Sequence, residues 1–401
     1  MSSPSSFHPT LATVDLTALS HNLSQIQKCL APGCTVMPVI KANAYGHGAI
    51  EIAQALVRQN LGHLAVFSIE EAIALRQAAI TVSIVVLGPF FPRQVEDLIV
   101  HRLTPVVSDR SMLEVMAHAT RARPTPYPIH LKVETGMNRL GLTQEDLETL
   151  FTTHAFPSSL HLEGFMSHLA DSDGEVQDIT EAQISRFNRA LNVSRGGGYE
   201  IPLVHLSNSA SIIRFPSAHY TMVRPGIMLY GYHTLPSTIP VPDLQPVLSL
   251  TTCIAQLRRI QPGDRVSYNG TFIARRSTRI AVLPIGYADG LSRRLSNRGV
   301  VLIRGQRVPI VGLVCMDMVM VDITTVPEAM IGDEVVVIGQ QGRETITAKD
   351  VAEWTETIPY EVLCAISPRV PRRYRHSSGG GTAFSKADGS LSDETDHRVE
   401  P

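Results

Sequence analysis

The chain has 401 residues, 44% hydrophobic and 18% charged, with a formal net charge of −2. Such a chain supports a sizeable core and two or three domains, and it carries no bulk field favouring nucleic acid or a membrane surface. Its five scattered cysteines (Cys29, Cys34, Cys253, Cys315, Cys364) show no metal-type or paired spacing, as expected of buried thiols in a reducing cytosol with no metal centre.

Residues 1–9 are polar, without a basic n-region or an apolar h-region, so no secretory signal is expected. No run approaches a membrane-spanning length, and a cytoplasmic location follows as the expectation. Residues 17–30 carry Leu19, Leu23, Ile26 and Leu30 at helix spacing, with Thr17 as the expected N-cap. Residues 39–48 read Val-Ile-Lys-Ala-Asn-Ala-Tyr-Gly-His-Gly. An apolar strand ends there on Lys41, which is either paired, snorkelling to solvent or chemically used. Tyr45 and the glycines suggest an anion nearby, because glycine lets backbone amides approach a phosphate. A lysine beside a phosphate site reads as a Schiff-base lysine for pyridoxal 5′-phosphate.

Strand-like runs follow at 36–42, 64–69, 84–88, 105–108, 130–135, 162–169, 203–209 and 222–231, with helical patterns between them, among them 49–58 and 70–79. Eight strands with intervening helices predict a (β/α)8 TIM-type barrel, whose functional residues sit at the C-terminal ends of strands. Lys41, Arg139, His168, Asn208, Ser209, Arg224 and Gly226 all fall at or just beyond such ends. After residue 243 the texture becomes β-rich, at 248–260, 265–273, 279–286, 300–303, 308–323 and 334–338. Residues 304–307 look like a hairpin tip, 348–355 like a short helix and 362–366 like a last strand. The expected division is a barrel at 10–243, a mostly β domain at 244–376, and a tail at 377–401 too poor in apolar residues to order.

The motifs in order are Lys-Ala-Asn-Ala-Tyr-Gly-His-Gly at 41–48, Leu-Lys-Val-Glu-Thr-Gly-Met-Asn-Arg-Leu-Gly at 131–141 and Ser-His-Leu-Ala at 167–170. Then come His-Leu-Ser-Asn-Ser-Ala at 205–210, Arg-Pro-Gly-Ile at 224–227, Val-Ser-Tyr at 266–268, Gly-Tyr-Ala-Asp-Gly at 286–290, Cys-Met-Asp at 315–317 and Pro-Tyr-Glu at 359–361. Together they resemble the alanine racemases, fold-type III pyridoxal-phosphate enzymes, over nearly everything except the two tails. The resemblance implies that Lys41 carries the cofactor and then serves as one base, with Tyr268 as the second. It places Arg224 against the pyridine nitrogen and links it through His168 to Tyr268. It assigns the phosphate to Tyr45, Ser209, the amides of Gly226 and Ile227, and Tyr360, with Asn208 in support.

Arg139 is implied to meet the substrate carboxylate, with Lys132 supporting it either as a carbamate or as a plain ion-paired lysine. Met316 and Asp317 line the carboxylate end, and Tyr268, Tyr287 and Tyr360 narrow the entrance. The resemblance further implies a homodimer with shared sites, acting on alanine and supplying D-alanine for peptidoglycan. Leu313, Met318, Pro368 and Asn269 depart from the common pattern. A decarboxylase or broader racemase of the same fold type, and a non-catalytic cofactor carrier, are the alternatives. The β domain with Tyr268 argues against the carrier, and the entrance tyrosines argue against longer substrates.

Overall fold

The computed structural model describes residues 8–153 and 155–376; the tail expected to be disordered, 377–401, lies outside them. The chain opens with β1 (Leu11–Asp15), a strand absent from the sequence expectation. The first helix, Leu16–Lys28, follows at once and is capped by Asp15, not by Thr17. The Asp15 carboxylate accepts from the amides of Thr17 and Ala18 at 2.9 and 3.2 Å, so the cap lies two residues before the expected one.

Eight parallel strands then form one sheet. They are β2 (Thr35–Val36), β3 (His63–Val66), β4 (Ser83–Val86), β5 (Thr104–Val107), β6 (Tyr127–Lys132), β7 (Leu160–Met166), β8 (Leu203–His205) and β9 (Met222–Val223). Their spatial order is β2-β9-β8-β7-β6-β5-β4-β3. The ends are joined by a parallel bridge between Val39 and Ala65, so the barrel is nearly closed. Helices outside and side chains inside bury both faces, which is why these strands read as continuous apolar runs: Ile84, Val85 and Val86 are all 0% exposed.

Several strands stop earlier than their apolar runs. The run at 222–231 yields only Met222–Val223, because Pro225 has no amide to pair and the chain turns at Gly226 into a 3-10 segment, Ile227–Tyr230. In the run at 203–209, Ser209 already opens a helix, Ser209–Arg214, capped by Asn208. These truncations place polar residues at the barrel mouth.

The rest of the chain is β-rich: β10 (Leu248–Cys253), β11 (Gln256–Ile260), β12 (Arg265–Val266), β13 (Phe272–Ile273), β14 (Thr278–Leu283), β15 (Val300–Ile303), β16 (Gln306–Pro309), β17 (Val319–Asp322), β18 (Glu334–Gln341), β19 (Glu344–Ile346) and β20 (Arg372–Arg375). The larger sheet runs β16-β15-β18-β10-β1-β20, with β19 on β18. Thus β1 belongs to this sheet, antiparallel to β10 and parallel to β20. The expected hairpin tip is real: Ile303 pairs with Gln306 across Arg304 and Gly305, both at positive φ, as a tight primed turn requires. The helix Ala348–Thr355 stands as expected. The expected strand at 362–366 is instead part of a helix, Pro359–Ala365. Pro359 occupies its first turn, where proline is pre-set for helix and its missing amide costs nothing. No helix among the described residues is long and apolar enough to cross a membrane.

Candidate active site

Lys41 follows β2 through Pro38, Val39 and Ile40, which are hydrogen-bonded on both sides (Val39 N to Pro225 O, Ile40 N to Ala65 O). The chain then enters a left-handed turn. Ala42, Asn43, Ala44 and Tyr45 all have φ between +52° and +54°. A left-handed conformation costs a non-glycine residue roughly 1–2 kcal/mol, so four in a row need external support. Several side chains supply it. Glu71 Oε1 accepts from Ala42 N at 2.6 Å, Asn43 Oδ1 accepts from Ala49 N at 2.8 Å, and Arg372 Nε donates to Gly46 O at 3.1 Å. His47 Nδ1 sits 2.9 Å from both Ala44 O and Tyr45 O.

Gly46 and Gly48 do not line the cavity, contrary to the sequence expectation of a glycine phosphate cradle there. They are needed for positive φ and for close packing, since a Cβ at Gly46 would run into Leu363 O and one at Gly48 into the Tyr374 hydroxyl. The glycine that reaches the cavity is Gly226.

The cavity, about 540 Å³, opens at the C-terminal ends of the barrel strands. Lys41, Lys132, Arg139, His168 and Arg224 bring its nitrogen groups together. Tyr45, Asn208, Ser209, Gly226, Ile227 and Tyr360 line the same space. Ser209 Oγ accepts from Gly226 N at 2.9 Å, and a side chain on Gly226 would strike the Tyr45 hydroxyl. Asn208 Oδ1 accepts from Ser211 N at 3.1 Å and from Ser172 Oγ at 2.9 Å, which fixes the helix carrying Ser209.

Arg224 is 3% exposed. Its NH1 donates to His205 Nδ1 at 2.9 Å and His205 O at 2.7 Å. Its NH2 serves Ser167 O at 2.8 Å, Leu206 O at 3.1 Å and His168 Nδ1 at 3.3 Å. Protein acceptors therefore engage both terminal nitrogens, while Nε makes no such bond on a side chain that lines the cavity. Arginine carries donors only.

The electrostatics follow from crowding cations in a buried space. Burial lowers the Lys41 ammonium below its usual range, and the Arg139 guanidinium lowers it further. Lys132 is pulled down to about 8, by burial first, then by Arg139 and Arg224. Burial lowers Arg224 to about 9, which leaves it protonated at neutral pH. His168 is held well below the usual imidazole value by burial, Arg224 and Arg139, so it is neutral and accepts from Arg224. A buried amine of lowered basicity, a cluster of hydroxyls and amides around Gly226, and an unengaged donor on Arg224 together fit a phosphorylated pyridine aldehyde bound through an amine.

Four expected site residues are elsewhere in this chain. Tyr268, Met316 and Tyr287 stand 69%, 52% and 44% exposed on the β domain. Asp317 accepts from Arg369 NH2 at 2.9 Å. Tyr287 borders a second cavity behind the helix Pro359–Ala365. Tyr268 is flanked by Ser267 and Asn269 at φ +65° and +59°; asparagine tolerates that conformation better than most residues, which suits Asn269 to its position. Leu313 O accepts from Ser267 Oγ at 2.7 Å, a role that any residue's carbonyl fills.

Profiles of the alanine racemase N-terminal and C-terminal domains match residues 14–234 and 247–374. An alanine racemase of Halothermothrix orenii is 41% identical over 93% of this chain and 98% of its own length. One of Sorangium cellulosum is 43% identical over 92% and 99%. Among solved structures, an alanine racemase from E. faecalis superposes with a TM-score of 0.86 at 34% identity, covering 92% of this chain and 98% of that one. An alanine racemase from Bartonella henselae, solved with covalently bound pyridoxal phosphate, gives a TM-score of 0.84 at 30% identity, over 92% and 100%.

Proposed function

The chain belongs to the alanine racemase family of pyridoxal-phosphate-dependent isomerases, and on that premise we propose that it interconverts L- and D-alanine by two bases on opposite faces of Cα. The bases are Lys41 and Tyr268 of a second copy of the chain. When bound, pyridoxal phosphate supplies a carbonyl that holds the substrate nitrogen and an electron sink that acidifies the Cα hydrogen. Lys41 holds the cofactor, and its amine, kept basic but easily deprotonated by burial, moves the proton on one face. One base cannot reach both faces. The observation that carries the reading is the division of the expected groups: Lys41 lies inside the cavity, and Tyr268 lies exposed outside it on the β domain.

A symmetric dimer brings Tyr268, Met316 and Asp317 of one copy over the barrel mouth of the other, and exposed Tyr268, Met316 and Met318 are the apolar groups such a contact would cover. His168 connects Arg224 towards the incoming tyrosine. Arg224 would present Nε–H to the ring nitrogen and, being a donor that does not release its proton, would leave that nitrogen unprotonated. Held so by Arg224, the ring would be a weaker electron sink, which would favour return of the proton to Cα. Tyr45, Ser209, Tyr360 and the amides of Gly226 and Ile227 would hold the phosphate, the Gly226 amide giving up its bond to Ser209 Oγ. Arg139 holds the substrate carboxylate in the planar, two-pronged manner of a guanidinium. Lys132 makes no ion pair among the described residues, and a carbamate on it would place a negative charge between Arg139 and Arg224. The product feeds peptidoglycan as D-alanine, in the cytoplasm.

Assays of alanine, serine and lysine racemisation, with and without added cofactor, test this reading. Fast cofactor-dependent turnover of alanine with little on lysine is expected. Preference for lysine, or decarboxylation without racemisation, would refute it.

A further inference from the structure

Behind Arg224 the barrel interior holds a row of polar side chains that the proposed reaction leaves unused. It runs across β6, β7 and β8 to the residue that follows β9. Arg224 NH1 donates to His205 Nδ1 at 2.9 Å, His205 Nε2 lies 2.8 Å from His130 Nδ1, and His130 Nε2 lies 3.4 Å from Glu163 Oε2. His130 and His205 are both 0% exposed, and Glu163 is the member nearest solvent, its side chain 26% exposed.

Two irregularities of β7 build this row. Ile129 of β6 pairs with Leu162, but His130 pairs with Gly164, so Glu163 is the extra residue of a bulge. A bulge re-aims a side chain that the regular pleat would place elsewhere. The next residue is Gly164, and a Cβ there would run into the His130 ring. Because β7 lies between β6 and β8, the missing side chain leaves the gap through which His130 and His205 meet.

The ends of the row decide its protons. Arginine can only donate, and an ionised carboxylate can only accept. The hydrogen of His130 Nε2 therefore faces Glu163 Oε2 across 3.4 Å, an ion-pair distance without a formed hydrogen bond. His130 Nδ1 is left as an acceptor and takes the hydrogen of His205 Nε2, and His205 Nδ1 is left as the acceptor for Arg224. Both imidazoles must be neutral and of the same tautomer. Burial above all, with the Arg224 guanidinium beside it, also holds His205 well below the usual imidazole value.

We propose that Glu163, His130 and His205 form a positioning relay that locks the orientation of Arg224 and so holds its Nε–H towards the cofactor ring. The relay acts through Arg224 and touches neither cofactor nor substrate. Its effect on reaction outcome rests on the reading that Arg224 faces the ring nitrogen; its proton placement does not.

Neutron diffraction from the perdeuterated holoenzyme tests the relay first. Hydrogens are expected on Nε2 of both His130 and His205 and on neither Nδ1. A hydrogen on Nδ1 of either ring overturns the proposal, whether or not any variant folds. The second test measures pyruvate released per racemisation turnover, which reports protonation at the wrong carbon. Removing the carboxylate in Glu163→Leu frees the tautomers, and leaving the buried His130 Nε2–H with no acceptor at all predicts a ~10-fold rise in that ratio. Glu163→Gln keeps an acceptor and should restore most of the native ratio. An unchanged ratio in Glu163→Leu, with Arg224→Glu raising it, overturns the relay. An unchanged ratio in both variants, with the Nε2 hydrogens in place, leaves the relay standing and sinks the ring-nitrogen reading of Arg224 instead.

Discussion

Replacing Glu71 with glutamine should loosen the turn that presents Lys41 and weaken cofactor binding. Glu71 uses both carboxylate oxygens. Oε1 takes Ala42 N at 2.6 Å, and Oε2 takes Phe67 N at 2.8 Å and Ser68 N at 3.2 Å, closing the capping box of the helix Ile69–Gln77. Glutamine keeps one oxygen and turns its NH2 against a backbone N–H at the other position. Leaving such a donor unsatisfied costs about 1–3 kcal/mol. The cap can instead keep the oxygen, and then the whole loss falls on the left-handed residues, which hold about 4–8 kcal/mol of conformational strain between them. At about 1.4 kcal/mol per decade, cofactor affinity should fall roughly 5- to 100-fold. Absorbance titration of the cofactor-free protein with pyridoxal phosphate measures this, with urea unfolding as a check that the global fold persists. An affinity within twofold of the native value would refute the claim that Glu71 holds the lysine turn.

Lys132 should impose a distinct pH signature. Its folded value, about 8, lies below the usual 10.5, so between these limits the unfolded chain binds more protons and stability contributed by this group rises with pH. In CO2-free buffer, thermal scans should show a rise in Tm over that window that is smaller in Lys132→Met; equal slopes would contradict the assignment. Gly226→Ala should lower phosphate affinity, because its methyl displaces the Tyr45 hydroxyl, and titration with inorganic phosphate and with pyridoxal phosphate should show the same loss for both. Arg224→Glu offers the ring nitrogen an acceptor, so racemisation should slow while pyruvate per turnover rises; an unchanged partition would count against Arg224 as the ring's donor.

The barrel was legible because its strands are buried on both faces. Runs such as Ile84–Val86 carry their own signal, and the polar residues that interrupt the pattern at Lys41, His168 and Arg224 mark the strand ends. Boundaries failed where a single residue overrode its run, as when Pro359 began a helix in an apolar segment read as strand. β1 was missed because five residues of alternating burial beside a strong helix make a weak signal, and its partners β10 and β20 are more than two hundred residues away.

Tyr268, Met316 and Asp317 follow no periodicity that spacing could detect; only the family motifs single them out. Glu71 left a trace in Ser68-x-x-Glu71, a capping box visible in the sequence, but its reach to Ala42 is a tertiary fact. Arg372, which clamps Gly46, is one of several C-terminal arginines, and nothing in its sequence context sets it apart. Glu163, His130 and His205 belong to three separate strands, and only the β7 bulge and the space over Gly164 bring them together.

The central claim is that each site takes Lys41 from one chain and Tyr268 from another. Lys41→Ala and Tyr268→Phe are each expected to be inactive alone. In a mixed dimer one site collects both changes and the other receives both native residues. With random exchange half the dimers are mixed, so about a quarter of all sites should recover. Co-refolding the two variants and assaying alanine racemisation measures that fraction. Recovery near a quarter of the native rate supports the shared site; no recovery, with mixed dimers shown to form, would place the whole site within one chain.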